Sequence, residues 1–120
     1  MTKAYHIDSV NRKITEVIIN NYTDIYPLLG DGVDIFDAVT VEKHDIIFVD
    51  DCGLMRSPEH FFLYSSYGHL LAGNGVVMGS SPDGESIDPK MTIDELKQRV
   101  KFMSVDEVAI WVHAHEHHRN

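Results

Sequence analysis

The sequence predicts an α+β domain, with an antiparallel or mixed sheet of about five to six strands and two C-terminal helices packed on one face. Three observations carry this. Residues 1–91 hold short runs rich in β-branched and aromatic side chains, broken by Gly, Asp, Asn and Pro. Residues 92–118 hold two capping boxes, each followed by apolar residues at helical spacing. The chain has 120 residues, 43% of them apolar, which suits one domain with one core rather than two domains or a disordered segment. Residues 113–120 form a His-rich tail expected to be mobile.

From the N-terminus, AYHID and KITEVIIN (13–20) flank a polar turn at 9–12 and read as a β-hairpin, with Asn11 the natural residue for a positive φ. NYTDIYPLLG (21–30) places Tyr22, Ile25, Leu28 and Leu29 at helical spacing. Pro27 keeps that helix short, and Gly30 stands where a left-handed C-terminal residue belongs. VDIFDAVTV (33–41) and HDIIFVDD (44–51) follow as two strands. The unbroken Ile46-Ile47-Phe48-Val49 places the second centrally, covered on both faces. Asp50-Asp51-Cys52-Gly53 reads as a hairpin turn, with Gly53 supplying conformational freedom.

The next strands are expected at 61–64 and 70–79, the latter interrupted at Gly73-Asn74-Gly75 by a bulge or a close backbone approach. Residues 80–90 are the longest loop. Thr92 and Glu95 then open a helix whose stripe is Ile93, Leu96, Val100 and Met103, with acids early and Lys97, Arg99 and Lys101 late, as the helix dipole favours. Ser104 and Glu107 open the second, with Val105, Val108, Trp111 and Val112 on one side.

Charge narrows the function classes. Ten Lys and Arg against 19 Asp and Glu, net −9, argue against direct nucleic-acid binding and against an anionic membrane surface. The uncharged stretch 61–82 has the length of a membrane span, but its Ser, Gly, His and Asn residues fit a buried strand pair better. Charges among the first twenty residues argue against an export leader, and a lone Cys52 against a disulfide scaffold, so a cytoplasmic address is expected.

Four constellations bear on chemistry. His113 and His117, four apart on a helix, can share a face and hold zinc or another divalent metal, although a solvated terminus accounts for the same string. Asp50 and Asp51, at the end of the most apolar strand and beside Cys52, can bind a cation or act as a base, or simply accept N–H bonds in a turn. Gly73, Gly75 and Gly79 are spaced like a dinucleotide loop, but a strand follows them, so packing glycines are the better account. The scattered acids suit a solvated surface more than imitation of a phosphate backbone. His69 and Asn74, both in the uncharged stretch 61–82, join Asp50 and Asp51 as candidate binding residues.

Read in order, the strand and short helix of 14–30, the acid-tipped strand and glycine turn of 46–53, the segment LAGNGVVMG (71–79), the Asp83-Gly84-Glu85 turn and the Thr-x-x-Glu-Leu helix closing at 99–102 resemble a family of small phage-encoded domains of unknown function. The likeness covers residues 14–103; the His-rich extension after Ser104 departs from it. It implies a viral protein working inside the infected cell and brings no catalytic residue. The expectation is therefore a non-catalytic binding module acting on a host protein or small ligand, with homodimerisation open to it. The alternatives are a small metal-dependent hydrolase using His113, His117 and an acidic turn, and an acidic nucleic-acid mimic.

Overall fold

The computed structural model describes residues 1–64 and 68–117, the side chains of His69 and of residues 115–117 excepted; Tyr67 and His118 lie outside the described residues. Thr2–Asp8 (β1) and Lys13–Ile19 (β2) pair as the expected hairpin. Its left-handed residue is Arg12 (φ 53°) rather than Asn11. Asn11 instead donates its backbone and side-chain N–H groups to the Asp8 carboxylate, at 3.1 and 2.9 Å. Ile25–Leu29 (α1) is a single short helix with Pro27 in its first turn, where a missing N–H breaks no helical bond. Gly30 ends it at φ 143°, ψ 170°, open to glycine but not the left-handed helical conformation expected.

Phe36–Thr40 (β3) and Asp45–Asp50 (β4) pair antiparallel. The chain then crosses to His60–Tyr64 (β5) and His69–Ala72 (β6), and returns through Gly75–Ser80 (β7) and Ser86–Ile87 (β8). Ile93–Arg99 (α2), Val100–Ser104 (β9) and Val105–His117 (α3) complete it. Among the described residues there are two antiparallel sheets where one was expected. The first has six strands in the order β2-β1-β7-β4-β3, with β8 beside β7, and the second has the order β6-β5-β9. The α+β class therefore holds. β4 is interior as expected, although β7 is the central strand.

Side-chain alternation explains the layering. Tyr5, Ile7, Ile47, Val49 and Val77 of the first sheet meet Phe62 and Tyr64 of β5, and Met91 and Leu96 close this inner core. Each such fully buried side chain contributes about 1.5–3 kcal/mol. On the first sheet's other face, Ala4, Ile19, Val76 and Met78 pack with Ile25 and Leu29 of α1. On the second sheet's other face, Phe61, Leu63 and Met103 pack with Val108 and Trp111 of α3. The two C-terminal helices thus serve different clusters rather than one face.

Three further departures have local causes. The helix of residues 92–103 ends at Arg99, because Val100 to Ser104 add a third strand to β5 with Phe102 opposite Phe62 and Met103 opposite Phe61. Gly73 (φ 77°) and Asn74 break the run 70–79 into strands of different sheets, so the interruption is a crossover and not a bulge. Residues 80–90 are not all loop, since Ser86 and Ile87 pair back onto Ser80 and Gly79. The close approach expected at the glycines is real: a Cβ on Gly75 would lie 2.9 Å from Phe62 Cζ, and one on Gly79 would meet the Asp88 carbonyl.

Candidate functional site

Asp50 sits where β4 leaves the first sheet, with only 8% of its side chain exposed. Its Oδ1 accepts the Cys52 N–H at 3.1 Å, and its Oδ2 accepts from Arg56 Nε. Arg56 Nη2 also donates to the Gly32 carbonyl at 3.2 Å, tying the 3₁₀ turn Gly53–Arg56 to the end of β4 and the loop after α1. The hydrogen bond to Asp50 raises the Arg56 pKa above its ordinary value. This is the turn chemistry expected of Asp50, but the turn is no hairpin: β4 and β5 lie in different sheets. Nor does Gly53 take a positive φ. It is buried, and a Cβ there would touch Ala72 at 3.4 Å, so the turn lies down on β6.

Asp51 is exposed, its N–H donating to the Ile35 carbonyl at 3.1 Å. Cys52 is half-buried, and its carbonyl accepts the Met55 N–H at 2.9 Å. Around Asp50 and Asp51 runs a groove of about 320 Å³, walled by Val49, the turn residues Leu54 and Met55, and Leu70 and Leu71 of β6, with Asp37 of β3 at its rim. Leu54 and Met55 are 70% and 85% exposed, and Ile35, bonded to Asp51, is exposed as well. β3 and β6 are the outermost strands of their sheets, so the groove lies between two sheet edges.

Asn74 has a different place. Its Oδ1 accepts the Ser9 N–H at 2.9 Å, and its Nδ2 donates to the Leu28 carbonyl at 3.3 Å. His6 Nε2 donates to that same carbonyl at 2.7 Å. Ser9 Oγ donates to the Gly73 carbonyl. The amide of Asn74 thus ties the end of β1, the end of α1 and the β6–β7 crossover together. His69 is the first residue of β6, opposite Tyr64, immediately before the groove residue Leu70; its side chain lies outside the described ones.

His113 is exposed on α3, over the second sheet, whereas Asp50 ends a strand of the first and has both carboxylate oxygens bonded. His117 ends the same helix, with its side chain outside the described residues. Among the described residues, no three His, Cys, Asp or Glu side chains group as metal ligands would.

The structure therefore brings Asp50 and Asp51 to one groove and places Asn74 and His113 elsewhere. Sequence reading missed the groove's apolar lip. Its signal was Leu54-Met55, two large apolar residues following a glycine turn with no periodic partner. No family model matches the chain, and no curated protein or solved structure matches it, so the groove's own geometry carries the functional reading.

Proposed function

We propose that the chain is a non-catalytic binding module of phage type, which contacts a host protein in the cytoplasm of the infected cell through the groove at the end of β4. The observation that carries this reading is the pair Leu54 and Met55, exposed on the lip of an apolar groove whose rim holds the carboxylates of Asp37 and Asp51. Adjacent large apolar side chains held in water by a clamped turn favour burial by a partner, at about 1.5–3 kcal/mol for each side chain covered. The acidic rim and the net charge of −9 select a partner segment with apolar side chains flanked by Lys or Arg, and speed its encounter. The phage and host assignments rest on the family resemblance of residues 14–103.

Site-specific photo-crosslinking in the presumed host tests this. A crosslinking side chain at Met55 is expected to capture one host protein that the same group at Glu16, on β2, does not. Equal capture from both positions refutes the groove. Capture of a second copy of the chain replaces a host partner with homodimerisation.

A further inference from the structure

A second pocket lies at the opposite end of β4. It has a volume of about 470 Å³ and is lined by Thr40, His44, Ile46, Ser80, Ser81, Pro82 and Lys90. Thr40 pairs with Ile46 and Ile46 with Met78, so these side chains share the α1 face of the first sheet. In a chain with 19 acids and 10 Lys and Arg, none of the lining residues is acidic. The buried Asp45 carboxylate lies on the other face of β4 by alternation, bonded to backbone N–H groups of Lys90 and Met91. Asp83 and Glu85, in the turn beyond Pro82, are exposed and not among the lining residues.

We propose that this pocket binds a small organic phosphate monoester. Its donors suit the three acceptor oxygens of a phosphate. Among the described residues Lys90 Nζ and Ser80 Oγ make long contacts with neighbouring carbonyls, 3.4 Å each, which an anion replaces with shorter charge-assisted bonds. Ser81 Oγ accepts the Glu85 N–H at 3.0 Å, leaving its own O–H to donate. Thr40 adds a hydroxyl and His44 an imidazole, while Ile46 and Pro82 offer apolar surface for the ester's carbon body.

A second observation points the same way. The β3–β4 connection holds two successive non-glycine residues in the left-handed region, Lys43 (φ 58°) and His44 (φ 66°). Asn or Gly would hold such a turn at lower cost. The strained pair instead sets Lys43 against Glu95 at 2.9 Å and His44 on the pocket wall, the pattern of strain retained at a site.

The test is an NMR titration of the ¹⁵N-labelled chain with phenyl phosphate, inorganic phosphate, benzoate and sulfate. Phenyl phosphate is expected to give saturable shifts confined to Thr40, His44, Ile46, Ser80, Ser81 and Lys90, and to bind more tightly than the other three. Lys90→Gln is expected to weaken it about tenfold or more, the loss of one charge-assisted hydrogen bond, with the remaining spectrum unchanged. Thr40→Val, at a residue that makes no bond to the Asp45 carboxylate, gives a second variant should Lys90→Gln disturb the fold. Shifts that scatter or fail to saturate, sulfate or benzoate binding as well as phenyl phosphate, or full affinity in both variants would overturn the assignment.

Discussion

Replacing Asp45 tests the architecture at a fully buried carboxylate. The Asp45 carboxylate is fully buried and accepts the Lys90 N–H at 2.9 and 3.0 Å and the Met91 N–H at 2.9 Å. Met91 is itself buried in the inner core, and its carbonyl accepts the Tyr5 hydroxyl at 2.9 Å. The segment leading into α2 is thus pinned to β4 on one side and β1 on the other. In Asp45→Asn, one accepting oxygen becomes an NH₂ group facing an N–H donor. The loss of a bond to a charged acceptor sets the expected destabilisation at about 1.5–3 kcal/mol. Asp45→Ala leaves the buried Met91 amide and the part-buried Lys90 amide without that acceptor, at about 1–3 kcal/mol for the buried one and less for the other. Urea unfolding followed by circular dichroism and tryptophan fluorescence reads both values. With slopes of about 1–3 kcal/mol/M for small domains, the Asn variant lowers the midpoint by about 0.5 M or more, and the Ala variant lowers it further. Wild-type stability in Asp45→Asn, at an unchanged slope, refutes the claim that this carboxylate organises residues 90–91.

Two further predictions concern packing and pH. Gly75→Ala puts a methyl group 2.9 Å from Phe62 Cζ and 3.1 Å from Ile47 Cγ2, an overpacking expected to destabilise by about 1–3 kcal/mol in thermal or urea unfolding. The double variant with Phe62→Leu should lose less than the sum of the two single changes; strict additivity argues against the contact. At Asp8, burial favours the neutral acid, but the side-chain and backbone N–H bonds from Asn11 outweigh it and hold the pKa below its ordinary 3.8. A lowered folded-state pKa contributes stability that is full above the unfolded value and lost as pH falls through the folded one. The stability gap between wild type and Asp8→Ala, of order 1 kcal/mol at neutral pH, should therefore narrow as pH drops below about 4. A gap independent of pH from 7 to about 2 contradicts this assignment.

What the sequence made legible was decided locally. The Thr92–Glu95 box forms as read, Thr92 Oγ accepting the Glu95 N–H at 3.1 Å and Glu95 Oε1 accepting the Thr92 N–H at 3.2 Å. The Ser104–Glu107 box forms in the same way. The β1–β2 hairpin also follows from a short stretch of chain, and the glycines at 73 and 75 marked a close approach whose partners at Gly75, Phe62 and Ile47, lie elsewhere in the sequence. The division into two sheets was hidden because residues 70–79 read as one run, and their break depends on Asn74 reaching Ser9 and Leu28, far off in sequence. β9 was hidden because Val100 and Met103 fit a helical stripe as well as a strand, and the partner that decides between them is β5. At the site, Asp50 and Asp51 were visible as a pair. The groove they border was not, since its walls come from residues 37, 49–51, 53–55 and 70–72, which only the fold brings together.

The measurement that tests the binding account most directly is selection of a random peptide library against the wild-type chain, followed by affinity measurement for the double variant Leu54→Asp, Met55→Asp. The account predicts enriched peptides with apolar residues flanked by Lys or Arg. Their affinity should fall about tenfold or more in the double variant, the loss of one buried apolar side chain, and only moderately on raising salt. Peptides whose binding ignores both substitutions, or vanishes with salt whatever stands at positions 54 and 55, would contradict it and leave the acidic surface, rather than the groove, as the contact.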